Sequence, residues 1–314
     1  MSEIIVKTEN SISESTWNDM NWGKLQGHVC RVQYQIYKAR KNGDIDRVHS
    51  LQKLLINSKA AKLVATHRVT TLNKGKKTAG IDKKILLKPE DKLQLATTLS
   101  LDGQASPIRR VWIPKPGKTD KRPLGIPIIR DRAKQELARL AIEPEWEAVF
   151  EPNSYGFRPG RGCHDAIEAI YLCLKGRNPK WVFDADIRKC FDMIDHDALL
   201  EKLDTFPLMK QQIRAWLKAG VMEGYSNEPK LLEVLETKAG TPQGGVISPL
   251  LANIALHGLE NHLKEFVSNL SMQSHPGSNR GKIAKSKALG VIRYADDFVL
   301  IHRNKEILEL CMAE

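Results

Sequence analysis

The acidic residues best suited to chemistry stand inside two apolar segments of the chain. Asp186 interrupts the apolar run 182–187, and the adjacent Asp296 and Asp297 interrupt the apolar run 291–301. A carboxylate among apolar residues costs free energy unless it is paired or binds a cation. We therefore predict that the two segments are neighbouring strands of one sheet, where Asp186 meets the turn at Asp296 and Asp297.

Such a gathering of carboxylates suits Mg²⁺, which prefers oxygen ligands and completes its shell with water and substrate phosphates. Two such ions can activate a primer 3′-hydroxyl group and stabilise a leaving pyrophosphate. Because successive residues of a strand face opposite ways, one of Asp296 and Asp297 should be the closer ligand. The alternative for an acidic residue at a turn is a helix cap or a solvated bend, which is our interpretation of Asp192, Asp195 and Asp197.

The overall charge favours a polyanionic partner. Lysine and arginine number 49 against 37 aspartates and glutamates, which gives the 314 residues a formal net charge of +12. This excess favours nucleic acid over an acidic metabolite, although many basic proteins bind no nucleic acid. Two basic segments are candidates for phosphate contact, or else solvated surface: a β-hairpin over 108–127, and a loop with Lys74, Lys76 and Lys77 that we predict to be too flexible for helix or strand.

Several classes of protein are disfavoured by the composition. The five cysteines (Cys30, Cys163, Cys173, Cys190 and Cys311) are scattered and form no C-x-x-C pair, which argues against a zinc module and against a disulfide framework. No apolar stretch is long enough to span a membrane, and the first residues lack the layout of a signal peptide. We expect no membrane partner and a cytoplasmic location.

Hydrophobic spacing predicts a helical N-terminal part followed by a mixed part that must position these residues. The predicted helices cover 28–41, 44–72, 131–142, 164–174, 198–203, 209–219 and 248–267. Pro144 is expected to end the third of them. The predicted strands cover 108–113, 122–127, a buried strand over 181–187 and a hairpin over 290–302. Without regular alternation of strand and helix, the predicted class is α+β.

Short sequence blocks, in order along the chain, carry a resemblance to a known family. Tyr294–Asp297 reads YADD, the form found in reverse transcriptases, and Asp186–Phe191 has the spacing of their first catalytic motif. The remaining blocks are GKKTAGID (75–82), IPKP (113–116), RPLGIP (122–127), SYGFRPG (154–160) and TPQGGVISPLLANI (241–254). Over about residues 60–302 the chain resembles the reverse transcriptases of group II introns.

The resemblance implies an α+β right-hand polymerase fold, with fingers and palm, a helical N-terminal extension and no thumb. The implied divisions are an extension over 1–72, fingers over 73–180 and an incomplete palm over 181–314. Within the palm we expect a helical, finger-side segment at about 198–238 and a flexible insertion over 268–288.

The resemblance also assigns roles to individual residues. Asp186, Asp296 and Asp297 would hold two Mg²⁺ ions, assisted by the Ile187 carbonyl. The residues implied to grip the incoming triphosphate are Arg109, Lys115 and Arg122. Phe191 matches the gate that selects deoxynucleotides, and Gln243 and Gly244 match the loop beside the nascent base pair. The residues implied to contact the template are Lys74, Lys76 and Lys77.

The function implied is RNA-directed DNA synthesis in intron mobility, together with a maturase role in splicing. The partners would be the intron RNA, an RNA template, a DNA primer and deoxynucleoside triphosphates. Because the family continues past the YADD hairpin, we expect a truncated or split protein, with a second chain as a source of the missing thumb. The alternatives are a non-catalytic, intron-RNA-binding splicing cofactor, an inactive fragment, and a two-metal nuclease of another fold.

Overall fold

The structure is a computed structural model that describes residues 17–114, 117, 119, 121–176, 178–223, 234–237, 239–242, 244–274, 277–278 and 281–314. The chain forms two compact units. The first comprises 1–149 and 191–251, and the second comprises 150–190 and 252–314. Each unit therefore draws on two separate stretches of the sequence.

The described residues form both helices and strands. The helices are α1 (Trp22–Lys41), α2 (Ile45–Asn57), α3 (Lys59–His67), α4 (Pro89–Thr98), α5 (Ile129–Glu147), α6 (Cys163–Leu174), α7 (Cys190–Met193), α8 (His196–Leu203), α9 (Pro207–Leu217), α10 (Ser248–Leu256), α11 (Leu259–Asn269), α12 (Lys282–Ala288) and α13 (Lys305–Ala313). The strands are β1 (Ile108–Pro114), β2 (Lys121–Ile126), β3 (Trp181–Asp186), β4 (Val221–Glu223), β5 (Gly290–Tyr294) and β6 (Asp297–His302).

The N-terminal part of the first unit is helical, as predicted. Val29 and Ile36 of α1, which lie two turns apart, are fully buried, and α1 packs against α2, α3 and α5. The predicted helix over 44–72 is divided at Ser58, whose hydroxyl accepts the Ala61 N–H at 3.1 Å and caps α3. A π-helical turn over Arg68–Leu72 follows.

Helix α5 continues to Glu147, so the prediction that Pro144 ends it is wrong. Proline has no N–H and therefore leaves the carbonyl of residue 140 without its helical donor. The Gln33 side-chain amide of α1 donates to the Leu140 carbonyl at 2.8 Å and replaces that bond. Pro144 itself is buried within the helix.

The predicted basic hairpin is confirmed and belongs to a small sheet in the first unit. The strand order is β2-β1-β4, with β1 antiparallel to β2 and parallel to β4. The expected helical segment at about 198–238 is helical through α8 and α9, after which β4 begins at Val221. Residues 224–233 of that segment lie outside the described residues.

The second unit is built on a sheet of order β3-β6-β5, in which both pairs are antiparallel. One face packs against α6 through Ala166, Ile292 and Ile301. The other face packs against α11 and α13, with Leu300 and Val291 at the centre of that core. The predicted hairpin over 290–302 is confirmed as β5 and β6.

Strand β3 is one of the two edge strands of this sheet, and the prediction that it is buried is wrong. Trp181 is 52% exposed and Val182 is 50% exposed, whereas Leu300 of the central strand β6 is fully buried. An apolar run alone does not distinguish a central strand from an edge strand, since both read as hydrophobic.

Two further predictions about the C-terminal half need correction. The helix predicted over 248–267 is two helices, because Gly258 adopts a φ of +105° and separates α10 from α11. Part of the predicted flexible insertion over 268–288 is ordered as α12. There the ammonium group of Lys285 donates to the Leu270 carbonyl, and Lys285 is buried. Residues 275–276 and 279–280 lie outside the described residues.

Among the described residues, no helix is both long enough and apolar enough to cross a membrane.

Candidate active site

The strands that carry the aspartates are neighbours, as predicted. Strand β3 pairs antiparallel with β6 in a register that sets Asp186 directly opposite Asp297. Directly opposite residues of an antiparallel pair project from the same face, with Cβ atoms about 4.5–5.5 Å apart. Asp297, rather than Asp296, is therefore the residue in register with Asp186.

The turn between β5 and β6 fixes the neighbouring aspartate. Ala295 adopts a left-handed φ of +60°, which lets the chain reverse between Tyr294 and Asp297. The Ile187 N–H donates to the Asp296 carbonyl at 3.1 Å, so the turn is tied to the end of β3. The Ile187 carbonyl accepts the Cys190 N–H at 3.1 Å and keeps a second lone pair for another partner.

Partial burial and the neighbouring carboxylates shift the pKa of Asp297. Partial burial, followed by the negative charges of Asp186, Asp296 and Asp184, raises the pKa of Asp297 above its ordinary value. Like charges that share a site disfavour ionisation, and a bound cation would remove that penalty. The site is thus electrostatically prepared for a positive charge.

The carboxylate oxygens suit a hard cation, but they do not form a complete coordination site. In the part of the chain that the structure describes, no group of three or more His, Cys, Asp or Glu side chains is already arranged to hold a metal. Carboxylate oxygens are nevertheless the ligands that Mg²⁺ uses, and Mg²⁺ commonly takes only one or two of them together with substrate phosphates. Asp186 and Asp297 meet that smaller requirement.

A buried arginine that was not predicted from the sequence supports the turn. Arg293 is 3% exposed; its guanidinium donates to the Asn253 side chain at 3.0 Å, to the Ala295 carbonyl at 2.9 Å and to the Ser154 hydroxyl at 2.7 Å. Burial lowers the pKa of Arg293 from its ordinary value. The signal in the sequence was a charged residue inside the apolar strand 291–295, which indicates a specific set of partners.

Gly156 completes the support of the turn. A Cβ atom placed there would lie 2.9 Å from the Ala295 Cα, a distance that real Cβ atoms do not tolerate. The Gly156 carbonyl in turn accepts the Asn253 side-chain amide at 2.8 Å. Backbone of the SYGFRPG block therefore packs directly against the aspartate turn.

The basic hairpin, which carries the residues predicted to bind the triphosphate, lies in the first unit. Arg109 pairs opposite Ile126, and Arg122 pairs opposite Ile113. Because alternate residues share a face of a strand, Arg109 and Arg122 lie on the same face of the hairpin, about 13 Å apart along the strand. Arg109 is half-buried and Arg122 is exposed. Lys115 lies outside the described residues.

Phe191 and the Pro-Gln-Gly loop meet within the first unit. The Thr241 N–H donates to the Phe191 carbonyl at 2.7 Å. Gly244 has a φ of +107°, and a Cβ atom there would come within 2.6 Å of the Gly125 carbonyl of strand β2. The loop is anchored to α5, since Gln135 accepts the Val246 N–H at 2.8 Å. Gln243 lies outside the described residues.

The basic loop is more ordered than predicted. Lys74–Lys77 form a short 3-10 helix, so the prediction that the segment is too flexible for helix is wrong. The buried guanidinium of Arg132 explains the order, because it donates to the carbonyls of Gly75, at 2.9 Å, and of Thr78. Such bonds satisfy the carbonyls that a short helix leaves free.

The lysines of this turn differ in how exposed their side chains are and in whether the ammonium group is held by the backbone. Lys74 and Lys77 are exposed, whereas the Lys76 ammonium donates to the Thr71 carbonyl at 2.8 Å and is half-buried. An ammonium group held by the backbone has less reach toward a phosphate. Lys74 and Lys77 are therefore the better placed of the three to contact nucleic acid.

Comparison with known families agrees with this arrangement of motifs. Residues 113–314 match the family described as reverse transcriptase (RNA-dependent DNA polymerase). Residues 17–99 match the N-terminal domain of reverse transcriptase. The chain belongs to the reverse transcriptase family. The helices that precede the hairpin are thus the N-terminal domain of that family, and the aspartate hairpin lies in its polymerase domain.

Individual relatives place the chain near intron-encoded proteins. The group II intron-encoded protein LtrA of Lactococcus lactis subsp. cremoris is 39% identical over 207 residues, which cover 64% of this chain and 32% of LtrA. Protein YkfC of Escherichia coli K12 is 36% identical over 262 residues, covering 76% of this chain and 67% of YkfC. The predicted relationship to group II intron reverse transcriptases is confirmed. The chain spans about a third of the length of LtrA.

Among solved structures, a telomerase from Candida albicans in complex with a fragment of telomeric RNA matches with a TM-score of 0.47 at 14% identity. That match covers 67% of this chain and 40% of the telomerase chain.

Proposed function

We propose that this chain forms the fingers and part of the palm of an RNA-directed DNA polymerase encoded by a group II intron. The observation that carries the proposal is the register of β3 and β6, which sets Asp186 against Asp297 beside Asp296 in a chain of the reverse transcriptase family. In the reaction, the 3′-hydroxyl oxygen of a DNA primer attacks the α-phosphorus of a deoxynucleoside triphosphate paired with an RNA template. Pyrophosphate leaves.

The aspartates are proposed to hold two Mg²⁺ ions, with the Ile187 carbonyl as a further ligand. When bound, the ions would supply activation of the hydroxyl group and neutralisation of the leaving pyrophosphate. The chain would contribute rigid placement of the ligands. The bonds of Arg293 to Ala295, and of Ile187 to Asp296, hold the turn before any substrate arrives.

The remaining roles are proposed for the first unit. Arg109 and Arg122, which share one face of the hairpin, would bind the triphosphate together with Lys115. Phe191 would exclude a ribose 2′-hydroxyl group. Gln243 and Gly244 would lie beside the new base pair, where the absence of a Cβ atom at Gly244 permits close approach.

We propose that residues 1–72 form an N-terminal extension, residues 73–180 the fingers and residues 181–314 the palm. The proposed setting is the cytoplasm, whose reducing conditions suit the free thiols of the five cysteines.

Primer extension tests the polymerase proposal. A labelled DNA primer on an RNA template should be extended with deoxynucleotides and Mg²⁺, but not with ribonucleotides and not with excess chelator. The assay is run with the chain alone and with a thumb-containing C-terminal fragment from a relative. Failure in both formats, with a folded chain, would contradict the proposal.

Metal binding at Asp297 can be measured by urea unfolding, without a catalytic assay. Because the pKa of Asp297 is higher in the folded chain than in the unfolded chain, its contribution to stability is greatest at acidic pH and is lost as pH rises through the folded value. We therefore expect Asp297→Asn to raise the urea midpoint at pH 7 in chelator. Mg²⁺ at ten times its Kd should stabilise the unsubstituted chain by about 1.4 kcal/mol.

The control for that experiment is Asp197→Asn, which removes the same charge from a side chain that is 82% exposed. Mg²⁺ should stabilise this variant as it does the unsubstituted chain, and Asp297→Asn much less. Equal stabilisation of all three proteins would place the metal elsewhere.

A second candidate function is binding of the intron RNA as a splicing cofactor. The observation that favours it is the ordered basic turn, in which Lys74 and Lys77 are exposed while Arg132 fixes the backbone. This function does not require the aspartates to react. It is compatible with polymerase activity in the same chain.

The two exposed lysines give this candidate a quantitative test. Each phosphate contact contributes about 0.7–0.9 to the slope of log K against log salt concentration. We expect Lys74→Gln with Lys77→Gln to weaken binding of the intron RNA and to reduce that slope by about 1.5. Filter binding at several salt concentrations measures both quantities.

The matched control removes the same charge from the exposed Lys175 and Lys282 of the second unit. An identical loss of affinity in the control would mean that net charge, and not this turn, governs RNA binding.

A further inference from the structure

A second site is suggested by a basic cavity in the second unit. The cavity has a volume of about 310 Å³ and lies at the C-terminal end of β6, against the chain just before β3 and helix α12. The polar residues that line it are Lys180, Ser274, Ser278, Lys287, His302 and Arg303. We call it the distal basic pocket. Its volume is at the lower end of the range for small-molecule sites.

The charged side chains among the described residues that line the pocket are all cations. Lys180, Lys287 and Arg303 contribute cations, and none of the described residues that line it carries a carboxylate. The ammonium group of Lys180 donates to the Cys173 carbonyl, which leaves two of its three donors for another acceptor. Several cations gathered in one cavity favour an anionic ligand.

Buried polar groups give the pocket a fixed wall. Ser274 is 4% exposed and His302 is fully buried. Nδ1 of His302 lies 3.0 Å from the Asn304 backbone nitrogen and 3.2 Å from the Asn304 carbonyl oxygen, so the ring is held against that turn. The Gln273 side chain, next to Ser274, donates to the Ser278 carbonyl at 3.3 Å. Hydroxyl and imidazole groups beside cations are typical partners of phosphate oxygens.

The pocket is separate from the candidate active site in the same sheet. The pairing of β3 with β6 runs from Asp186 opposite Asp297 at one end to Trp181 opposite His302 at the other. Five residues of strand separate the two ends by about 17 Å. A group bound in the pocket therefore cannot be a ligand of a metal ion held by the aspartates.

An exposed aromatic ring adjoins the pocket and narrows the ligand class. Trp181 is 52% exposed, follows Lys180 directly and lies opposite His302 across the strand pair. The Lys305 ammonium lies 5.6 Å from the centre of the indole ring. Aromatic rings interleaved with cations are characteristic of surfaces that bind single-stranded nucleic acid, where bases stack and the backbone is neutralised.

We propose that the distal basic pocket binds a phosphate group of single-stranded nucleic acid, with the adjoining base stacked on Trp181. Lys287 and Arg303 neutralise the phosphate, and the wall at His302 and Ser274 orients it. This binding does not depend on nucleotidyl transfer. It can therefore be tested independently of the polymerase function.

Residue-resolved acetylation tests the proposal on the whole chain. The chain is treated with an acetylating reagent in chelator, and the rates at Lys287 and Lys282 are read by mass spectrometry. Both lysines are exposed on α12, and only Lys287 lines the pocket. The probes are inorganic phosphate and a ten-nucleotide oligothymidylate. At a probe concentration of twice its Kd, acetylation of Lys287 should slow about threefold while that of Lys282 is unchanged.

Two variants make the result specific. Arg303→Gln should remove the protection of Lys287 by either probe, and an unchanged urea midpoint would show that the variant is folded. Trp181→Ala should leave protection by phosphate intact and weaken protection by the oligonucleotide. Protection by phosphate with none by the oligonucleotide would overturn the assignment to nucleic acid. Equal rates at Lys287 and Lys282 with both probes would overturn the site.

Discussion

Asp186→Asn should reduce the rate of primer extension at least about a hundredfold. Asparagine keeps the size of the side chain but removes the charge that would bind a divalent cation opposite Asp297. A metal ion that stabilises a developing charge contributes several kcal/mol, and each 1.4 kcal/mol corresponds to a factor of ten in rate. Single-turnover extension with saturating primer and template measures the effect on the chemical step.

The control for this prediction is Asp197→Asn, which removes a surface carboxylate that pairs with Arg214 at 3.2 Å. Exposed pairs of this kind contribute about 0–1 kcal/mol, so extension should be unchanged. Equal losses in the two variants, or full activity in Asp186→Asn, would show that Asp186 has no part in the chemistry.

Arg293→Met should lower the free energy of unfolding by about 3–5 kcal/mol. The substitution leaves the Ala295 carbonyl, the Asn253 side chain and the Ser154 hydroxyl without their buried donor. Each unsatisfied buried group costs about 1–3 kcal/mol, and methionine cannot replace any of these bonds. Urea unfolding of the full chain measures the change.

Two further variants isolate the cause. Arg293→Lys keeps the charge but not the forked geometry, so its loss should be intermediate. Arg188→Met removes an exposed arginine near the same hairpin and should change stability by less than about 0.5 kcal/mol. A loss below about 1 kcal/mol in Arg293→Met would contradict the support assigned to this residue.

The sequence predicted those parts of the fold that local pattern determines. The helices of the N-terminal part, the basic hairpin and the hairpin over 290–302 follow from hydrophobic spacing and turn residues, and the structure contains them, with the helix over 44–72 divided at Ser58. The meeting of Asp186 with the YADD turn followed from the energetic cost of carboxylates in apolar segments.

Two of the failures share a physical reason, which is that the deciding partner is distant in sequence. Pro144 does not end α5 because Gln33, more than a hundred positions earlier, supplies the missing bond. The basic turn is ordered because Arg132, far along the chain, binds its carbonyls. Neither partner is marked by any local pattern.

Burial was the other property that local pattern did not determine. Strand β3 reads as an apolar run, but Trp181 and Val182 at this edge of the sheet are half exposed, whereas Val291 and Ile292 of the other edge strand, β5, are buried. Strand order is a property of pairing across the sheet, and hydrophobicity along one segment does not encode it. The network of Arg293 was missed for a related reason, since Ser154 and Asn253 come from separate segments.

The most direct test of the metal site is cleavage of the chain by Fe²⁺ bound in place of Mg²⁺. With ascorbate and peroxide, bound iron generates hydroxyl radicals that cut the backbone near the ion, and the fragments are mapped by mass spectrometry. We expect cuts around Asp186 and around Asp296 and Asp297, suppressed by Mg²⁺ and absent in Asp186→Asn. Cuts confined to other segments, or cuts at these positions that persist in Asp186→Asn, would contradict a divalent-cation site between β3 and β6.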